Sequence, residues 1–345
     1  MKTYHRPVTA APDFLIDAGR CKFGTFNTVV EKPDLLAAHR PLGFPAPQWF
    51  NHWRLKEWQA FQIDCVDWFF CISVYDTKSL GTAIIMAWHK PSATMRVYQK
   101  KVPTFLLKVP CGLNDSVASY RSKNFTLVFE NQLASNHIRI TAETHGLGDL
   151  PDIQMEWHAE LTGEPQLVFQ PFGKNRPLYS LKSLMRAHGS VTFNGQSNNY
   201  DANVILDDHK GFYPFTMQYD WVTGLQQQVD GTLSGFNLTD NQILNPTHFN
   251  ENCLWHDGKM HPLPPISVSR PGGIMAPWQI RDRDGQVDLT FTPLADVPNL
   301  VNLGLFCTRY HGPTGQLTGT ITTDAAGTVK YQDCFGMGEE KYMRL

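Results

Sequence analysis

The chain has 345 residues, with 30 Lys and Arg against 32 Asp and Glu, a formal net charge of −2 and only 18% charged residues. This excludes a disordered polyelectrolyte, and without a basic field no nucleic-acid partner is expected. The excess is aromatic: 9 Trp, 11 Tyr and 21 Phe, enough to fill a large core or wall an apolar cavity, since each buried ring removes about 150–250 Å² from water.

In chain order, MKTYHRPVTAAPDF carries no apolar core of the kind a secretory leader needs. The longest apolar runs, WFFCISVY and GTAIIMAW, are about half the ~20 residues that span a bilayer. A soluble, cytoplasmic protein without a transmembrane segment is expected. The seven cysteines (Cys21, Cys65, Cys71, Cys111, Cys253, Cys307, Cys334) are odd in number and include no CxxC pair, which argues against a disulfide framework or a zinc ribbon. Sequons at Asn114, Asn124 and Asn237 carry no weight without a secretory route.

The first helix candidate is PDLLAAH near Leu35. From Trp58 to Trp88 come two strand-like runs, WQAFQIDCVDWFFCISVYD and LGTAIIMAWHK, joined by TKS. Alternation marks FTLVFEN from Phe125, IRITAET from Ile138 and IQMEWHAEL from Ile153 as further strands. A second short helix candidate lies at Leu181–Met185. Then follow SVTFNG, DANVILDD, QVDGTLSGFNL, QVDLTFTPL, LVNLGLFCTRY, GQLTGTITT and TVKYQDCFGMGEE. So many short strands at close spacing indicate an all-β sandwich or barrel fold. Pro171, Gly173 and Pro177 interrupt two β-rich halves, so the expected division is 1–175 and 176–345, each the size of one barrel.

RLKEWQAFQI from Arg54, AHGSVTFNG from Ala187, LDDHKGFYPFTMQYDW from Leu206, the segment Gly235–Ile266 and DGQVDLTFTP from Asp284 together resemble domain-of-unknown-function family 2804. Its wider relatives are two-barrel proteins that include hydroxyneurosporene synthase, a carotenoid hydratase, and some lipocalin-like cyclases. In those relatives a GxVxxxG segment precedes a strand ending in a DH pair and a Gly. Here HGSVTFNG precedes LDDHKG, with Leu206 where a tryptophan is usual. The resemblance implies two tandem lipocalin-like (calycin) antiparallel barrels with few short helices.

Two clusters could carry chemistry. In Asp207–Asp208–His209–Lys210, followed by Tyr213 and Trp221, successive strand residues face opposite sides, so only one acid can point into a barrel. A carboxyl in an apolar lumen has a raised pKa and can donate a proton, and neighbouring rings could stabilise a cation. The plainer reading is a charged strand end in which Asp207 caps backbone amides and Lys210 pairs with Asp208. The second cluster is Asn250, Glu251, Asn252 and Trp255, which could bind a ligand's polar end. Its plainer reading is turn chemistry for the asparagines, with Gly258 of WHDG at a positive-φ position. His248, His256 and His261 match no zinc spacing, so no metal is expected. The aromatics Trp49, Phe50, Trp53, Trp58, Trp68, Phe69 and Phe70 are expected to close and fill a barrel, with Trp88, Trp157 and Trp278 also in the core.

No GxSxG elbow, Walker loop or GxGxxG turn is present. The leading expectation is a protein that binds a small hydrophobic molecule, lipid or isoprenoid, and converts it by acid catalysis (hydration, cyclisation or isomerisation) without a cofactor. Asp208 or Asp207 would be the acid and His209 its positioning group or a base. Lys210, Tyr213, Trp221, Asn250, Glu251, Asn252 and Trp255 would bind the ligand. A carrier or sensor without chemistry is the first alternative, and a carbohydrate-active enzyme with paired carboxylates the second. Self-association into a homo-oligomer stays open.

Overall fold

The computed structural model describes residues 4–303 and 306–344. The fold is nearly all β, and two large antiparallel sheets curl into barrel-like bodies, one nearly closed and one a half-barrel, in a tandem lipocalin-like arrangement. The first sheet runs in spatial order Thr94–Val102, Gly81–His89, Trp68–Asp76, Lys56–Asp64, Gln196–Gly211, Arg176–Phe193, Ile153–Leu161, His137–Thr144, Phe125–Gln132, Ser116–Ser122 and Leu107–Lys108. The second runs Lys259–Pro262, Cys253–His256, Leu233–Asn241, Thr216–Gln227, Gly327–Arg344, Thr314–Thr323, Val287–Ala295, Trp278–Asp282 and Ile266–Ser269. Phe306–His311 also pairs with Gly327–Arg344.

The chain passes between sheets at Phe212–Phe215, not at the Pro171–Pro177 segment. Gln166–Gly173 and Arg176–Phe193 are paired antiparallel, so the proline-rich stretch is a hairpin within the first sheet. The next hairpin, Arg176–Phe193 with Gln196–Gly211, turns on Asn194 and Gly195 at φ 52° and 76°. That is the two-residue turn whose twist suits antiparallel strands. The Asp257–Gly258 turn is built the same way, with φ 49° and 69°, as WHDG indicates.

Three other expectations change. Leu181–Met185 is strand, not helix: Leu181 and Met185 face the first barrel while Leu184 faces the second sheet. A strand covered on both faces loses its period-2 signature and can mimic helical spacing. PDLLAAH forms only a 3-10 turn at Leu35–Ala37. Among the described residues the one α-helix is Gln48–Arg54, on which Trp49 is 70% exposed and Trp53 also reaches solvent, so these two do not fill a barrel. The run from Trp58 to Asp76 is also two strands, turning at Cys65–Trp68 without any Gly, Pro or Asn to announce it.

The interior of the first barrel is filled. Phe61, Ile63, Phe70, Ile72, Tyr98, Phe129, Trp157, Met185, Val204 and Leu206 belong to one buried cluster. Phe236, Trp278, Phe291 and Leu317 anchor the core of the second. A third apolar layer lies between the sheets, where Phe69, Trp88, Leu184 and Ile205 of the first meet Leu225, Cys253 and Trp255 of the second. Burying such side chains contributes about 1.5–3 kcal/mol each, and it fixes the second sheet against the outer face of the first. Among the described residues no helix is long and apolar enough to cross a membrane.

Candidate functional site

The Gln196–Gly211 strand places its acids on opposite faces, as alternation requires. Asp208 shares the face of Leu206 and points into the first barrel, fully buried. There Lys210 Nζ donates to its Oδ1 at 2.6 Å, while Oδ2 has no hydrogen-bond partner among the described residues. Burial pushes the Asp208 carboxyl up to about 6, with Lys210 pulling against it. Gln59, directly opposite Asp208, donates to Asn131, which donates to Ser116, so this end of the lumen is a polar network. Asp208 is therefore half of an internal ion pair, as the plainer reading had it, rather than a lone acid in an apolar hollow.

Asp207 shares the face of Ile205 and points into the seam between the sheets. Among the described residues it caps no backbone amide. Its Oδ1 accepts from Lys182 Nζ at 3.0 Å and its Oδ2 from Trp58 Nε1 at 3.3 Å. Lys182 also lies 3.3 Å from Glu251, whose carboxylate accepts from Ser180 at 2.8 Å. Burial disfavours the Lys182 charge, but Asp207 and Glu251 outweigh it and raise its pKa.

His209 projects into the same seam. Its ring stacks on Trp58 (centroids 4.1 Å, planes 6° apart) and, farther off, on Tyr213 (6.1 Å). Asp207 lies 3.9 Å from Nδ1, too far for a hydrogen bond, and both ring nitrogens are buried without a partner among the described residues. Burial, then Lys182, Lys210 and Lys341, push its pKa well below 6.5, so the imidazole is neutral at pH 7.

The second sheet completes the seam. Trp221 donates from Nε1 to Asn237 at 2.6 Å, and the Lys182 ammonium lies 5.4 Å from its ring centroid. Glu339 accepts from Tyr219 at 2.8 Å and Tyr310 at 2.7 Å. Burial raises its pKa, while Lys341 and the two hydroxyls oppose the rise. Trp58, Tyr75, Tyr219, Tyr310 and Glu339 all keep some accessible surface, so solvent reaches the edge of the seam at this level.

Of the residues singled out in the sequence, the structure brings Asp207, His209, Tyr213, Trp221 and Glu251 to this seam. Asp208 and Lys210 lie behind it, inside the barrel. Asn250 and Asn252 are structural ties. Asn250 Oδ1 accepts from the Asn252 amide at 2.8 Å, and the Asn252 side chain bridges the Thr239 amide (2.6 Å) and the Pro264 carbonyl (2.8 Å). Trp255 packs in the apolar layer, its Nε1 without a partner among the described residues. Sequence reasoning missed Lys182, Glu339, Lys341, Tyr75, Tyr219 and Tyr310. The only local signal was charge inside otherwise apolar strands, as in YSLKSL and GMGEEKYM.

Two surface concavities lie away from this cluster. One, of about 380 Å³, is lined by Glu164, Arg186, Asp230 and Trp255; the other, of about 340 Å³, by Glu156, His158, His188 and Tyr200.

The fold is similar to several solved structures. A putative AttH from Nitrosomonas europaea aligns over 88% of this chain and 96% of its own, at 14% identity and a TM-score of 0.51. CghA with Sch210972 aligns over 84% and 88%, at 13% identity and 0.50. Kievitone hydratase from Nectria haematococca aligns over 93% and 98%, at 12% identity and 0.48. At these identities the likeness concerns the fold alone. No curated protein matches the chain by sequence. Residues 8–345 match the family described as domain of unknown function (DUF2804), and the chain belongs to that family.

Proposed function

We propose that the seam binds a small, mainly apolar molecule and moves a proton on it with the protein's own side chains. The observation that carries this reading is His209: a neutral, buried imidazole with both nitrogens unpartnered among the described residues. A buried polar atom left unsatisfied costs about 1–3 kcal/mol, a cost that a ligand atom reaching those nitrogens offsets. A neutral imidazole is also the form that accepts a proton. Trp58, Tyr213 and Trp221 supply the apolar walls, and Glu339, its carboxyl shifted upward, is the matching acid.

Hydration, cyclisation and isomerisation of a lipid or isoprenoid all fit such a pair, and the resemblance to hydroxyneurosporene synthase-type proteins favours that group of reactions. The acid role expected of Asp208 passes to the seam residues, because Lys210 engages Asp208 inside the barrel. A retaining or inverting glycosidase geometry is disfavoured, since Asp207 and Asp208 face opposite sides of one strand and cannot flank one bond. The test is native mass spectrometry of freshly purified protein with organic extraction. A bound apolar molecule of a few hundred daltons, lost from His209→Ala, is expected. Wild-type protein that carries none, and takes up none from a lipid and isoprenoid panel, would overturn the reading. Recovery of the molecule unchanged after long incubation would leave binding but remove catalysis.

A further inference from the structure

Lys341 is 7% exposed and sits at the centre of a row of three adjacent strands, directly opposite Tyr219 on one side and Tyr310 on the other. Its ammonium lies 5.3 Å from the ring centroid of Tyr75, which reaches over from the first sheet, and 5.6 and 5.7 Å from those of Tyr219 and Tyr310. Both of the latter hydroxyls are committed to Glu339. Among the described residues Lys341 Nζ makes no hydrogen bond and no ion pair. Three rings attract the cation, but ring faces leave three N–H donors unused.

We infer that Lys341 is an oxyanion-binding residue, and that the ligand of the seam is an enolisable carbonyl compound or a phenol whose oxygen lies against the Lys341 ammonium within the tyrosine cage. This rests on the proposed seam site and narrows its substrate class. His209 removes the α-proton: a C–H bond breaks, an N–H bond forms on the imidazole, and the electron pair moves onto the carbonyl oxygen. Lys341 stabilises that oxygen more as its charge grows than in the ground state, which is the condition for acceleration. Where the carbonyl compound carries a β,γ-double bond, the enolate extends to the γ-carbon, and returning the proton there from the imidazolium completes an isomerisation with no outside reactant. The charged and titratable groups around the ammonium are Tyr75, Tyr219, Tyr310 and Glu339, with Asp207 and His209 on the facing strand.

The probes are 2-naphthol, which can ionise, and 2-methoxynaphthalene, which cannot. Fluorescence titration gives their affinities, and the absorption spectrum gives the ionisation state of bound naphthol. Wild-type protein is expected to bind both and to lower the pKa of bound naphthol by about two units, the effect of an opposite charge at close range. Lys341→Met should bind methoxynaphthalene as before and abolish the shift, and Lys341→Arg should restore it. Bound naphthol titrating at its free value in the wild type overturns the inference without any variant having to fold. A shift that survives in Lys341→Met also overturns it. If both probes bind, Trp58→Ala weakens both and no shift occurs, only the oxyanion assignment fails. If neither binds, the seam site itself fails and the assignment with it.

Discussion

The imidazole of His209 lies flat on the indole of Trp58, 4.1 Å between centroids, and that same indole donates to Asp207, two residues earlier on the His209 strand. One aromatic residue of the neighbouring strand therefore holds both the proposed base and the carboxylate that pairs with Lys182. Replacing this platform, Trp58→Ala, should reduce affinity for a bound apolar probe at least tenfold, as loss of a central aromatic anchor does. Fluorescence titration with 2-methoxynaphthalene reads it, and unchanged affinity would place the probe elsewhere.

His209 also links stability to pH. Its folded pKa is far below 6.5, so below that value the unfolded chain takes up a proton that the folded chain refuses. Its contribution is complete above pH 6.5 and is lost as pH falls below it. Asp208 works in the opposite sense between 3.8 and about 6, where the folded chain holds the extra proton. The contrast with His209→Phe separates the two effects: the stability advantage of wild type over this variant should shrink from pH 7.5 to 5.5 in urea unfolding. Parallel curves would mean that His209 titrates normally.

The Asp208–Lys210 pair is buried on both sides. Lys210→Met should cost about 3–5 kcal/mol at pH 7, because it leaves an uncompensated buried carboxylate, whereas Asp208→Leu with Lys210→Met should recover most of that loss. The penalty for Lys210→Met should also fall by pH 5, where the carboxyl is protonated. Equal losses in the single and double variants would mean that packing, not charge, sets the cost.

Asn252 holds the amide of Thr239 and the carbonyl of Pro264. Asn252→Ala should lower stability by about 1–3 kcal/mol and leave the affinity of the folded protein for methoxynaphthalene unchanged. A selective loss of binding would return this residue to the ligand.

The two tryptophans Trp49 and Trp68 look alike in sequence and differ in place. Trp49→Ala, on the exposed helix, should change stability by about 0.5 kcal/mol or less. Trp68→Ala, in the barrel core, should cost about 3–5 kcal/mol. Thermal denaturation of the pair checks it.

From residue order alone follow the all-β class, the barrel-sized content of strands, the Asp257–Gly258 turn and the opposite facing of Asp207 and Asp208. Each rests on local stereochemistry: alternation at period two, or a backbone angle that few residues accept. Which face meets water, lumen or seam is not local. NVILDDHK is buried on both sides because the second sheet covers the outside of the first, and nothing within those eight residues specifies that cover. Lys182, Glu339, Lys341 and Tyr310 join His209 through strand pairings and sheet packing more than 100 residues apart in places. Lys182 meets Glu251 and Trp221 from across the seam and Lys341 meets Tyr75, while Asp207 and the hydroxyls of Tyr219 and Tyr310 complete the sites of Lys182 and Glu339 from within the same sheets.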